Sequence, residues 1–183
     1  MEWIKQLSFY LYACDIHKII LIIVMTVLLW GYVNFWFMKT ATAKIVWYNL
    51  NILIFAISLM SILVLTLFSR KATQKCDICL IPLYTFYLAT NSTEMYRTMF
   101  MNVLLFVPFG MSMPFILPKA SKKRIVKTIL YALLLSLIIE SVQYILALGR
   151  TEVDDLICNT LGAAIGCMSY WMCNLMIKQK TKK

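Results

Sequence analysis

Five stretches of this chain, roughly 19–38, 45–68, 99–117, 125–148 and 156–177, are each apolar for long enough to cross a bilayer as a helix, which takes about 20 residues. Such runs leave few alternatives, because in hydrocarbon every backbone N–H and C=O must be satisfied within its own segment. Composition agrees: 62% of residues are hydrophobic and mean hydropathy is +0.79, beyond what a soluble domain can hide. The expected fold class is all-α, a polytopic integral membrane bundle of about five transmembrane helices. The first run is expected to be retained as a span. It exceeds a signal h-region in length, carries Trp30 and Trp36, and lacks a small-x-small cleavage site.

Five crossings put the two termini on opposite sides. One face then holds Lys39, Lys44, Lys119, Lys122, Lys123, Arg124, Lys127, Lys178, Lys180, Lys182 and Lys183 and no acid, while the other holds seven cations and all eight acids. By the positive-inside rule the acid-free face is cytoplasmic, so the N-terminus is expected outside and the C-terminus inside. Trp36, Trp47 and Trp171 lie near the lysines of that face, as an interfacial belt requires, and Trp3 falls to the outer side. Trp3, Leu7, Leu11 and Cys14 share a helical stripe that reads as an interfacial anchor. The formal net charge of +10 therefore reports topology and attraction to anionic lipid, and calls for no nucleic acid partner.

The one long connection, 69–98, contains an apolar aromatic piece (78–89) with Pro82 and no charge, too short to span. It is expected to form a lid or re-entrant segment over the outer helix ends, or a hydrophobic loop collapsed on them. At the same depth the polar residues converge. Arg70 ends the second run, Glu94, Arg97 and Asn102 open the third, Glu140 and Gln143 lie in the outer half of the fourth, and Arg150, Glu152, Asp154, Asp155 and Asn159 lead into the fifth.

An intramembrane carboxylate such as Glu140 is costly to keep and marks a functional site. Ser136, Glu140, Gln143 and Ala147 fall on one helical stripe, and Asp155, Asn159, Gly162 and Gly166 on another. The G-x-x-x-G pair Gly162 and Gly166 is expected to let the fourth span approach closely, so that the two polar stripes meet. Structural roles compete for some of these residues. Asn91-Ser-Thr-Glu94 resembles a capping box, and Thr151-Glu152-Val-Asp154 fits a cap on the fifth helix. Cys76 and Cys79 form a C-x-x-C on the outer face, open to disulfide or thiol exchange, whereas Cys158, Cys167 and Cys173 read as small packing residues.

The order of motifs resembles one family. Leu80-Ile-Pro82, Glu94, Asn102-Val-Leu-Leu-Phe-Val-Pro108-Phe-Gly110, Leu137-Ile-Ile-Glu140-x-x-Gln143 and Gly149-Arg150-Thr-Glu152-x-x-Asp155-x-x-x-Asn159-Thr-x-Gly162-x-x-x-Gly166 are similar to the VanZ family, small bacterial membrane proteins named for teicoplanin resistance. The resemblance covers about 45–170 and departs at Glu152, often Asp in the family. It implies a bacterial cell-membrane location, low-level teicoplanin resistance without matching vancomycin resistance, and no defined reaction or cofactor. The chain then divides into an interfacial segment with the first span (1–44), a VanZ-like four-helix domain (45–177) and a basic tail (178–183).

Chemistry has to be argued from the site. Arg70, Arg97 or Arg150 suits the anion of a lipid headgroup, a lipid-linked envelope glycan or a glycopeptide, with Glu140 or Asp155 orienting a hydroxyl. The alternative is a small membrane enzyme in which Glu140 and Asp155 act as acid and base on an envelope lipid or glycan. A divalent cation among Glu140, Asp154 and Asp155 is a third option. No nucleophile and base pair is present, and the single histidine, His17, sits at a helix start outside the resemblance.

Overall fold

A computed structural model describes residues 16–37, 41–68, 70, 77–89, 93–118 and 123–181. In chain order the elements are α1 (Ile16–Phe37), α2 (Ala41–Leu63) continuing into a π-helical turn (Val64–Phe68), β1 (Asp77–Cys79), α3 (Tyr84–Ala89), α4 (Thr93–Ile116), α5 (Arg124–Ile145), β2 (Arg150–Glu152) and α6 (Val153–Thr181). Five of these helices are long and apolar enough to cross a membrane, and the protein is an all-α helical bundle. The stripe of Trp3, Cys76 of the C-x-x-C and the Asn91-Ser92 end of the capping box lie outside the described residues.

Most of the spanning helices run longer than their apolar stretches, above all those of the third and fifth spans. Helix α4 starts at Thr93 rather than 99, and α6 runs from Val153 to Thr181 rather than from 156 to 177. Hydropathy marks the thickness of hydrocarbon, whereas polar residues continue the helical hydrogen-bond ladder beyond it. Pro108 and Pro114 lie inside α4 without ending it, as packing from neighbouring helices permits in a membrane bundle.

Helices α4 and α6 form the central pair, with α2 packed on α4, and α1 and α5 on α6. Ile62, Phe106, Phe109, Ala132, Ile139 and Ala163 make the main apolar core, with Val27, Val107 and Met111 a second cluster. Outward-facing positions carry large apolar side chains such as Leu21, Leu29, Ile45 and Met60, all exposed, the pattern of a surface solvated by lipid.

The glycine pair turns to a different helix from the one expected. A Cβ at Gly162 would meet the carbonyl oxygen of Val103, and one at Gly166 that of Val107, so both glycines face α4 rather than α5. Gly110 on α4 lies equally close to the carbonyl of Ala163. Small residues on both partners make this the tightest crossing available, and backbone contact there replaces the side-chain packing a soluble core would use. Cys158, Cys167 and Cys173 are buried along α6.

One feature runs against a purely helical reading. β1 and β2 pair in parallel, Asp77 opposite Arg150, Ile78 opposite Thr151 and Cys79 opposite Glu152. This pair ties the segment after α2 to the connection between α5 and α6, and draws 77–89 over the ends of α4 and α6.

Candidate functional site

The site is built where α4 and α6 begin and α2 and α5 end. Asp155 sits in the first turn of α6. Its Oδ1 accepts a hydrogen bond from Asn102 Nδ2 of α4 at 2.6 Å, and its Oδ2 lies 3.7 Å from Arg70 Nη2. Arg70 Nη1 also donates to Gln143 Oε1 at 3.5 Å. Gln143 Nε2 in turn donates to the carbonyl oxygen of Thr66 at 2.9 Å. That carbonyl belongs to the π-helical last turn of the second span, where backbone acceptors have no helical partner of their own. Gln143 therefore closes the end of one helix while holding the arginine that follows it.

Glu140 stands one turn deeper than Gln143 on α5. Its Oε2 accepts the backbone N–H of Glu152 at 3.2 Å, which seats β2 against α5. Asp155, Arg70 and Glu152 lie within electrostatic range of it, while the ion pair of Arg70 is with Asp155. The exposures of that pair are unequal: the side chain of Arg70 is 27% exposed and that of Asp155 7%. Arg70 is thus its more accessible member.

Glu152 and Asp154 do something the expected cap on their own helix does not describe. Asp154, 1% exposed, accepts the N–H of Leu83 at 2.6 Å and that of Thr85 at 2.7 Å, one on each carboxylate oxygen. Glu152 Oε2 accepts from Thr85 Oγ1 at 2.6 Å. Both acids therefore act across space on the start of α3, and Asp154 binds the amides of that short helix as a capping residue from another element would. Leu83 is held at φ 64, in the left-handed region. Arg150 completes the clamp, 3.5 Å from Glu152 Oε1 and stacked over the ring of Tyr84. Thr85 is the residue that sequence reasoning missed, since a lone threonine in an apolar segment carries no signal of its partners.

The remaining candidates divide. Asn159 Nδ2 donates to Ser136 Oγ at 2.8 Å in the α5–α6 interface, one turn further along α6 than Asp155. Arg97 is half-buried on α4, about 140° around the helix axis from Asn102. Glu94 lies in the first turn of α4, and its side chain is outside the described residues. Of the three acids considered for a cation, Glu140, Asp154 and Asp155, Asp154 has both oxygens engaged by backbone amides. Among the described residues no group of three or more His, Cys, Asp or Glu could hold a metal ion.

What the arrangement offers chemically is a shallow recess at most: a buried cluster of carboxylates and amides with the part-exposed Arg70 at its edge. It can bind a group that presents an anion to Arg70 and a hydroxyl to Glu140 or Asp155.

The comparisons with known proteins bear on these same helices. A family model described as VanZ/LLP1 matches residues 19–175. A protein of Enterococcus faecium named Protein VanZ is 35% identical over 92 residues, 49% of this chain and 54% of that protein. The match thus spans about half the length of that relative. No solved structure matches. Because the family model runs from the first span nearly to the end of the last, across every helix that builds the recess, this chain belongs to the VanZ/LLP1 family.

Proposed function

We propose that this protein modulates resistance to teicoplanin at the bacterial cell membrane, with the recess under Arg70 facing the outer leaflet and binding a lipid-linked glycan, a lipid headgroup or the drug. The observation that carries this reading is the placement of Arg70 between Gln143 and Asp155, with Glu140 behind them: one accessible cation over buried acceptors. An amphiphile that carries both an anion and hydroxyls suits it. The charge bias supports the orientation, since the opposite end of the bundle carries Lys44, Lys123, Arg124, Lys127, Lys178 and Lys180. Teicoplanin is lipidated, and each acyl CH2 buried adds about 0.8 kcal/mol to membrane binding, so a membrane-level site meets the drug where it concentrates.

The test is the minimum inhibitory concentration of teicoplanin, beside vancomycin, for a sensitive host expressing the wild type, Arg70→Gln or Glu140→Gln at matched membrane abundance. Protection by the wild type against teicoplanin, lost in both variants, supports the site. Full protection by either variant sinks it.

A second reading makes the recess catalytic, with Glu140 and Asp155 as acid and base on an envelope lipid or glycan. It is favoured by the burial of two carboxylates, Glu140 and Asp155, in one polar cluster. Mass spectrometry of envelope lipids and muropeptides from cells with wild type or Glu140→Gln separates the two: a chemical difference belongs to the enzyme alone.

A further inference from the structure

At the end of the bundle opposite the carboxylates, α1, α2, α4 and α5 enclose a cavity of about 540 Å3, within the size range of small-ligand sites. Three observations there point to one ligand chemistry. Lys44 and Arg124 both line it, and no acid does. Arg124 is held in place, its Nη1 donating to the carbonyl of Pro114 at 3.1 Å and its guanidinium 5.8 Å from the ring centroid of Tyr170.

Polar atoms in the wall lack partners. Asn51 is 1% exposed and donates through Nδ2 to Asn34 Oδ1 at 3.1 Å and to the carbonyl of Trp47 at 2.8 Å. Its Oδ1 and the indole Nε1 of Trp47 have no hydrogen-bond partner among the described residues. Both atoms are closed off from solvent, so they lie behind the wall and do not face the cavity. The start of α5 adds to the field. Its N-cap, Lys123, lies in the left-handed region at φ 58 and makes no side-chain capping bond, so the positive helix end at Arg124 is left for an anion. Ile45 and Tyr48 complete the lining and are exposed on α2, which opens the cavity toward lipid.

We propose that this cavity binds an anionic phospholipid, with the phosphodiester on Lys44 and Arg124 and an acyl chain along Ile45 and Tyr48. A choline headgroup is disfavoured because its quaternary ammonium would add a third cation beside Lys44 and Arg124, with no carboxylate among the described lining residues to offset it. The site is independent of the recess under Arg70.

Native mass spectrometry of the purified full chain, titrated with phosphatidylglycerol or phosphatidylcholine, tests it. Phosphatidylglycerol should bind more tightly, and Lys44→Gln should weaken it by roughly 5-fold, the worth of one cation near anionic lipid. Arg124→Gln, which removes the second cation of the lining, should also weaken it. Lys127→Gln, exposed on α5 outside the cavity, should not. Equal affinity for phosphatidylcholine, unchanged affinity in Lys44→Gln or Arg124→Gln, or an equal loss in Lys127→Gln overturns the proposal. Displacement by glycerol 3-phosphate also overturns it, by assigning the cavity to a soluble phosphate.

Discussion

Asn102 Nδ2 lies 2.6 Å from Asp155 Oδ1, a bond that joins the two central helices across 53 residues of sequence. Both side chains are buried. The bond fixes which way Asp155 points at the helix start, and so fixes its second oxygen toward Arg70.

Removing the donor is therefore expected to be worse than neutralising the acceptor. Asn102→Leu leaves a buried carboxylate without its close partner and should cost about 2–3 kcal/mol, the range for hydrogen bonds to charged groups. Asp155→Asn keeps an oxygen for Asn102 and loses only the long contact to Arg70. Thermal unfolding of the two variants in detergent should place Asn102→Leu several degrees below Asp155→Asn, and the reverse order would deny the bond its weight.

Glu140 and Asp155 are buried in one polar cluster, and groups that share a site respond non-additively. With Glu140→Gln and Asp155→Asn each abolishing teicoplanin protection at unchanged protein level, the double variant should be no worse than either. Independent, additive losses would separate the two acids into different sites.

Asp154 holds the β1–α3 segment by two amide bonds and Glu152 by a third contact to Thr85. Asp154→Ala should release residues 77–89, raising amide hydrogen exchange at Leu83 and Thr85 by about 10-fold or more, since two charge-assisted bonds are lost. Exchange elsewhere in α6 should be little changed. Asp154→Asn, with a single acceptor oxygen, should fall between.

Gly166→Leu drives a side chain into the backbone of α4 at Val107 and Met111. The central pair cannot separate locally, so this variant should fail to accumulate in the membrane. Leu161→Ala, on the exposed face of the same helix, should accumulate normally. Comparable membrane levels of Gly166→Leu and wild type would contradict the crossing.

Orientation is checked by fusion. Alkaline phosphatase placed after Lys183 should be inactive and within the loop near Thr90 active, as the acid-free basic face requires. The opposite result would turn the Arg70 recess toward the cytoplasm and end its proposed role at the outer leaflet.

The sequence alone determined the class and the five spans, because hydrophobic length is a local property and the bilayer sets its threshold. It also put Glu140 and Asp155 near the same end of their two spans, since a single short connection separates them. What it could not decide is which partner each polar group takes. Asp154 reads as a cap for its own helix until the fold brings Leu83 and Thr85 onto it, and Gly162 and Gly166 read as a face for the neighbouring span until α4 presents Gly110 and Ala163 comes opposite. Asn159 bonds Ser136 where the two polar stripes meet, yet Asp155 of the same stripe turns to Asn102 of α4, because α6 is flanked on two sides. A stripe specifies an angle around one helix axis. Which helix stands at that angle is settled by packing among all five, and only the tertiary structure records it.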